Sequence, residues 1–338
     1  MKIYKEHKGI VVGRGKFEHV MALTLNPVNT DGGLIRCITK REGNLEIKGY
    51  TDRSILCKIR SLAGLEKYEI SQPLIIEGSD QLVRQLQDKD HDFIGFEDPD
   101  LILDSKTNLL HLYFTIPLVK KSEKVDNLIL LGHAVGKNLD NLKMTAPVLS
   151  VAQVGKTRAK ELSLAPVNSQ GVRLNLVESE DKIAGISYST VRVAIAKDFR
   201  PEWEFGQTVF HPKYDGFPWC AGHASPGPLL PKEFIDLGED KIVGILNGRE
   251  ANTFVGGQTK YGMFSVGLFI YDFEKGKIEW VSPKPIIIDS QATTITFASY
   301  FIQTKNNEGI LYAHVDDSFV RAYTLYSEGI KNYVMNHG

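Results

Sequence analysis

Apolar and polar positions along this chain alternate in short runs, and the spacing of a long amphipathic helix is nearly absent. Glu18–Leu25 and Leu34–Thr39 flank a loop containing Asp31-Gly32-Gly33, the turn chemistry of a hairpin. Gly49–Ser54 leads into the strand Ile55–Arg60. The polar stretch 78–92 suits a short helix over Asp80–Asp88. Leu101–Asp104 and Leu109–Thr115 read as a hairpin over Ser105–Asn108, and Asn127–Val135 as a further strand. Val172–Glu178 and Lys182–Tyr188 read as a pair turning over Ser179-Glu180-Asp181, followed by Val191–Ala196. Lys241–Leu246, Met263–Asp272 and Lys277–Val281 form one later set; Thr294–Gln303, Gly309–Val315 and Phe319–Leu325 form the last.

The strands come in groups of three or four that recur every ~60 to 70 residues, a long period of the kind arrays show. Radial repetition of small antiparallel sheets leaves few exposed edges. Dividing 338 residues by that period predicts an all-β fold, a five-bladed β-propeller. No linker rich in Pro, Gly or Ser splits the chain, so 1–338 is read as a single domain. A β-sandwich, or a pair of β-domains, is the alternative that periodicity leaves open.

Charge is balanced, with 40 basic and 41 acidic residues, which argues against a nucleic-acid surface or a polybasic membrane patch. No stretch approaches the ~20 apolar residues of a membrane span. The start, Met1–Ile10, shows no apolar signal region. Cys37, Cys57 and Cys220 are odd in number and scattered; they form neither a disulfide framework nor a zinc site, and they fit a cytoplasmic protein. No His, Cys and Asp cluster has metal-ligand spacing, so neither metal nor cofactor is expected.

Chemistry concentrates first at Glu97-Asp98-Pro99-Asp100, three carboxyls in four residues running into an apolar strand. Carboxyls at the mouth of a buried strand cost desolvation unless something uses them. Pro99 stiffens the segment and pushes Asp98 toward an extended backbone. Crowded carboxyls raise one another's pKa, which keeps one acid protonated near neutral pH. A polar turn ahead of a hairpin is the plain alternative. Three further groups stand out: Lys160-Glu161 ahead of Pro166; His223 and Ser225 in the Gly/Pro-rich segment Trp219–Pro231; and His314, Asp316 and Asp317 in the final hairpin. Trp219 and Tyr188 are candidates to stack on a sugar ring, with core packing the preferred reading for each.

The order of Asn26-Pro27, Glu97-Asp98-Pro99, Lys160-Glu161 with Pro166, Gly222 to Pro228, Asn247-Gly248 and Asp317 resembles glycoside hydrolase family 130, the β-mannoside phosphorylases and related hydrolases. The resemblance runs from about Asn26 to Leu325. It implies a five-bladed propeller, an oligosaccharide substrate, and inverting attack at the anomeric carbon by phosphate or by water. It makes Asp98 the proton donor. An inverting reaction also needs room for the nucleophile on the far side of the bond.

Two departures bear on the nucleophile. Asp100 stands where the family has Arg, and Asn247 where it has His. Phosphate capture relies on cationic, multi-donor groups, so the lost Arg favours hydrolysis over phosphorolysis; Lys160, Arg158 and Arg249 leave a rearranged phosphate site open. Glu161 is the first candidate for a general base, with a plain ion pair to Lys160 or Arg158 as its alternative. Glu97, Asp100, Lys160, His223, Asn247 and Asp317 are candidate substrate contacts. Two other readings compete. One is a furanosidase-like propeller, which would have to rely on Asp31 or Asp52. The other is a sugar-binding propeller without catalysis, which Asp100 and Asn247 favour.

Overall fold

The computed structural model describes residues 2–122, 125–155 and 157–337. Four-stranded antiparallel ladders dominate it. The first ladder is His19–Leu25, Gly32–Glu42, Thr51–Ala63 and Lys67–Pro73, in chain order. The second is Glu97–Asp104, Leu109–Lys120, Leu128–Gly136 and Lys143–Met144; the short strand His91–Phe93 pairs with the far end of Leu109–Lys120. The third is Lys160–Ser163, Arg173–Ile183, Ile186–Ala196 and Glu204–Phe210. The fourth is His223–Leu229, Lys241–Arg249, Phe264–Asp272 and Lys277–Val281, and it joins the third through one parallel bridge, Ser189 to His223. The last is Thr296–Lys305, Glu308–Val315 and Phe319–Tyr326, with Tyr4–Val12 as its outer strand.

The opening strands of the ladders pack side by side. His19–Leu25 touches Glu97–Asp104 and Thr296–Lys305; Lys160–Ser163 touches Glu97–Asp104 and His223–Leu229; His223–Leu229 touches Thr296–Lys305. The contacts close a ring, and the arrangement is propeller-like. Alternation explains why each ladder holds. In Thr51–Leu56, Asp52, Ser54 and Leu56 are buried while Arg53 and Ile55 are less so, the period-2 pattern of a strand; at Cys57 the phase reverses, and Leu56 and Cys57 enter different core clusters, so both faces are covered. Aromatic side chains fill the gaps between ladders: Tyr113, Phe114 and Trp203 in one cluster, Phe269 and Tyr271 in another.

Each opening strand carries a register shift: between Met21 and Thr24, Glu97 and Asp100, Lys160 and Leu162, Pro226 and Leu229, and Ala298 and Tyr300. A bulge leaves a residue unpaired and re-aims its side chain. At three of them the extra residue is left-handed without being glycine: Ala22 (φ 51°), Asp98 (φ 49°) and Glu161 (φ 48°).

Several sequence expectations change. The hairpin placed over Ser179-Glu180-Asp181 turns instead at Ala184-Gly185, both at positive φ, with Ile183 facing Ile186. That is the geometry two-residue hairpin loops require, and Ala-Gly signals it weakly beside Asn-Gly. The Gly/Pro-rich segment Trp219–Pro231 contains the strand His223–Leu229, whose prolines fall at its bulge. Tyr4–Val12 and the terminal helix Ser327–His337 were not anticipated; the expected helix near Asp80 is Ser79–Leu86. No helix among the described residues is long and apolar enough to cross a membrane.

Candidate active site

Gly95 sets the position of the Glu97-Asp98 segment. Its φ is +113°, and a Cβ there would fall 1.8 Å from the Ser54 carbonyl oxygen. The close approach lets Ser54 N–H donate to Ile94 O at 2.9 Å and the Ser54 hydroxyl donate to Phe96 O at 3.1 Å. The bulge that follows turns Asp98 into the ring, where Asp98, Asp100 and Glu161 line a cavity of about 230 Å³ with Ser163, Ser299 and Tyr300.

Arg36, in the middle of Gly32–Glu42, reaches both members of the acidic pair. It donates to Glu97 and, at 3.0 Å, to Asp98 Oδ1. Asp98 and Glu161 hydrogen-bond to each other. Two cations, Arg36 and Lys160, therefore face three carboxyls, and the protons divide unequally. Burial pushes Asp98 up, but Arg36, Lys160, the hydrogen bond from Glu161 and His314 together hold it below the usual range. Burial and the Asp98 charge drive Glu161 well above the usual range, despite Lys160 with Nζ 4.0 Å from Glu161 Oε1. The pair thus shares one proton, resting on Glu161, and titrates as a unit. Burial lifts Glu97 to about 7 against the pull of Arg36, and burial lifts Asp100 to about 7 with only Leu101 N–H to oppose it.

The other expected residues divide. Lys160 lies 3.7 Å from Glu178, and the charges of Glu178, Glu161 and Asp98 raise it to about 12 against burial. His223 Nε2 is 3.0 Å from Glu178 Oε2, with burial lowering the imidazole to about 4. Asp317 sits at φ 45°, 3.1 Å from His314 Nε2, and accepts from the Tyr50 hydroxyl at 3.4 Å. Burial opposes ionisation of Asp317, but His314, Arg41 and Arg36 outweigh it and keep the carboxyl low. Asn247 is elsewhere. Its amide donates to Ala298 O at 2.9 Å and accepts from Ala298 N–H at 2.8 Å, so both ends are used to staple the fourth ladder to the last. Trp219 is core: its indole donates to Ser282 O, and a Cβ on Gly248 or Gly267 would strike its ring at 2.4 Å. Asp316 caps the backbone of Thr293, Thr294 and Ile295. Of the furanosidase candidates, Asp52 is bound twice by Arg41 at 2.7 and 2.6 Å, and Asp31 is exposed.

Glu178 and Arg36, not anticipated, and Arg249, kept open as part of a phosphate site, complete the cluster. Glu178 is fully buried. Burial opposes its charge, but His223, Lys160 and Arg158 outweigh it and hold it far below the usual range. Arg36 stood in plain view as a cation between Ile35 and Cys37, inside an apolar strand; a buried charge there requires a partner. Arg249 stacks on Tyr261 at 4.2 Å and Phe264 at 5.4 Å, its Nε has no hydrogen-bond partner, and it has no carboxylate partner among the described residues.

No protein-family model matches the chain, and no curated protein matches it. Solved structures do. The chain is similar to a glycoside hydrolase-like protein from Parabacteroides distasonis, at TM-score 0.66 and 15% identity over 96% of this chain and 97% of that one. It is similar to a glycosyl hydrolase from Bacteroides ovatus, at TM-score 0.65 and 15% identity over 91% and 84%. It is also similar to β-1,2-mannobiose phosphorylase from Listeria innocua, in complex with β-1,2-mannobiose, at TM-score 0.63 and 14% identity over 98% and 94%. At these identities the likeness establishes a shared fold, and it is consistent with the resemblance to glycoside hydrolase family 130.

Proposed function

We propose that this protein is a glycoside-cleaving enzyme on a five-bladed β-propeller, acting with inversion on β-linked mannosides or similar short oligosaccharides, with water as the nucleophile. The observation that carries this reading is the juxtaposition of Asp98 and Glu161, two carboxyls on left-handed bulge residues that line one cavity inside the ring. Backbone strain of this kind persists where the surroundings over-determine it, and it clusters at active sites.

The resting pair holds one proton. Entry of the scissile bond between the two groups separates them toward the ~6.5–9.5 Å of an inverting pair. The proton moves to Asp98, which donates it to the leaving glycosidic oxygen as the bond to the anomeric carbon breaks and its electron pair stays on that oxygen. Glu161, now ionised beside Lys160, accepts a proton from the water whose oxygen attacks the opposite face of that carbon. Net proton count is conserved: one leaves Asp98 and one arrives at Glu161, which restores the starting pair. In this reading Arg36 fixes the Asp98 carboxylate between turnovers, and Glu97, Asp317 and His223 are candidate contacts to sugar hydroxyls.

Phosphorolysis is the second reading, and Arg249 favours it. A buried guanidinium without a carboxylate, close enough to Arg158 and Glu178 to feel both charges, is suited to an oxyanion. One incubation separates the two: a panel of β-mannosides, galactosides and glucosides with and without inorganic phosphate. Free sugar formed regardless of phosphate supports hydrolysis. Sugar 1-phosphate formed only with phosphate replaces water as the nucleophile, and no product from any glycoside overturns the enzymatic reading.

A further inference from the structure

The loop between Lys241–Arg249 and Phe264–Asp272 is long, and it carries its own hairpin, Thr253–Val255 paired with Gln258–Lys260 over Gly256-Gly257. It leaves the fourth ladder and docks on the first, which is not its neighbour in the ring. Ile47 bridges Lys260; Lys48 N–H donates to Thr259 O at 3.1 Å; Tyr261 N–H donates to Glu46 O at 2.9 Å; and Lys260 Nζ lies 2.7 Å from Glu46 Oε2. The last ladder stands between these two, and its turn at the same end is only Asp316-Asp317-Ser318, between Val315 and Phe319. The short turn leaves a gap, and the long loop spans it.

The strap is tied to the site beneath. The Tyr261 ring covers Arg249 and meets the Tyr50 ring edge-on at 6.3 Å, and the Tyr50 hydroxyl reaches Asp317. Arg249 is only 8% exposed under this cover. A sugar chain lying across the ring with both ends free needs openings on two sides. On the side of the last ladder, the strap fills one.

We propose that the strap 250–263 makes the site a pocket closed on one side, so that it takes the end of a sugar chain and excludes internal linkages. The chain-end part of this inference rests on the glycoside-cleaving reading above; the closure itself does not.

Two variants test it: replacement of Thr253–Lys260 by Gly-Ser-Gly, and Lys260→Glu, which sets like charges against Glu46 and leaves the chain length intact. The first readout is the product pattern from an end-labelled β-linked mannotetraose. The native protein should release single sugars from one end, and the variants should add products of two or more sugars. Internal cleavage by the native protein, or an unchanged pattern in both folded variants, overturns the proposal. The second readout needs no activity: phenylglyoxal modification of Arg249, followed by mass spectrometry. Protection should fall about tenfold when the strap is opened, as for an amide released from a local contact. Equal rates in native and variant protein overturn the closure. If no glycoside is cleaved but the protection is lost on opening, the enzymatic reading fails while the closure stands.

Discussion

Two buried ion clusters in this molecule are built from the same side-chain types and do different things. At the seam where the chain's ends meet, Arg321 Nε lies 2.6 Å from Asp289 Oδ2, the Tyr323 hydroxyl donates to the same carboxyl at 2.5 Å, and Arg321 also donates to the carbonyls of His7 and Lys8 at 3.0 and 3.1 Å. Arg321 is tied directly to Asp289, with Glu6 Oε1 4.0 Å away, and neither Arg321, Asp289 nor Tyr323 has a left-handed backbone. In the ring, Arg36 and Lys160 face Glu97, Asp98 and Glu161, and two of those carboxyls sit on strained bulges. A cluster whose carboxylate is tied directly to its cation and a hydroxyl fixes geometry. A surplus of carboxyls keeps a proton in the interior, available for transfer, and costs stability to do so.

That contrast can be broken at four places. Asp98→Asn should lower turnover by about 10³- to 10⁴-fold with the fold intact by circular dichroism; near-native turnover on a cleaved glycoside would remove Asp98 as the donor. Asp289→Asn should do the reverse, costing about 3 kcal/mol in urea unfolding because buried Arg321 loses its closest carboxylate, while kcat of the folded protein changes little. A large kcat loss at unchanged stability would erase the distinction between the clusters.

Glu161→Gln should lower kcat by about 10²-fold and move the basic limb of the pH profile to lower pH. Activity requires the shared proton, Glu161 is the group that holds it at high pH, and without it Asp98 keeps only its own depressed pKa. A basic limb that stays put would show that the proton is held elsewhere. The smallest effect is at Asp100. Its folded pKa is about 7 and an unfolded Asp titrates near 3.9, so the native state binds the extra proton between those values. Stability contributed by this group should therefore be present at low pH and fall as pH rises through 7, by about 1–3 kcal/mol. Asp100→Asn should flatten that part of the stability curve, and an unaltered slope would contradict it.

The sequence made the ladders legible because each half-covered strand writes its own alternation, and it made Glu97-Asp98 and Lys160-Glu161 legible because charges at the mouth of an apolar strand are conspicuous. The bulges were not legible. Nothing local marks Ala22, Asp98 or Glu161 as left-handed; Pro99 pointed to an extended Asp98, and tertiary packing against Ser54 won. Glu178 was passed over because it ends an apolar run where a solvated residue is common, and its neighbours Arg158, Lys160 and His223 come from segments 158–160 and 223. Asn247 was placed in the site by its position beside Gly248, but its amide is matched to the Ala298 backbone, a pairing visible only once the two ladders meet. Tyr4–Val12 is polar enough to pass for a loop, as suits a strand on the outer edge of its sheet.

That edge strand has a consequence for how the protein is made. Tyr4 pairs with Leu325, so the last sheet takes its fourth strand from a segment synthesised long before its other three. During translation that segment must wait for its partner strand Phe319–Tyr326 to emerge. Closing so long a loop costs conformational entropy before any pairing repays it, and non-local strand pairing is slow. His314 and Asp317 also belong to that late sheet, whereas Arg36, Asp98 and Glu161 come from sheets formed earlier on the ribosome. The acidic pair is therefore in place before the site is whole, and competence arrives only when the last sheet closes.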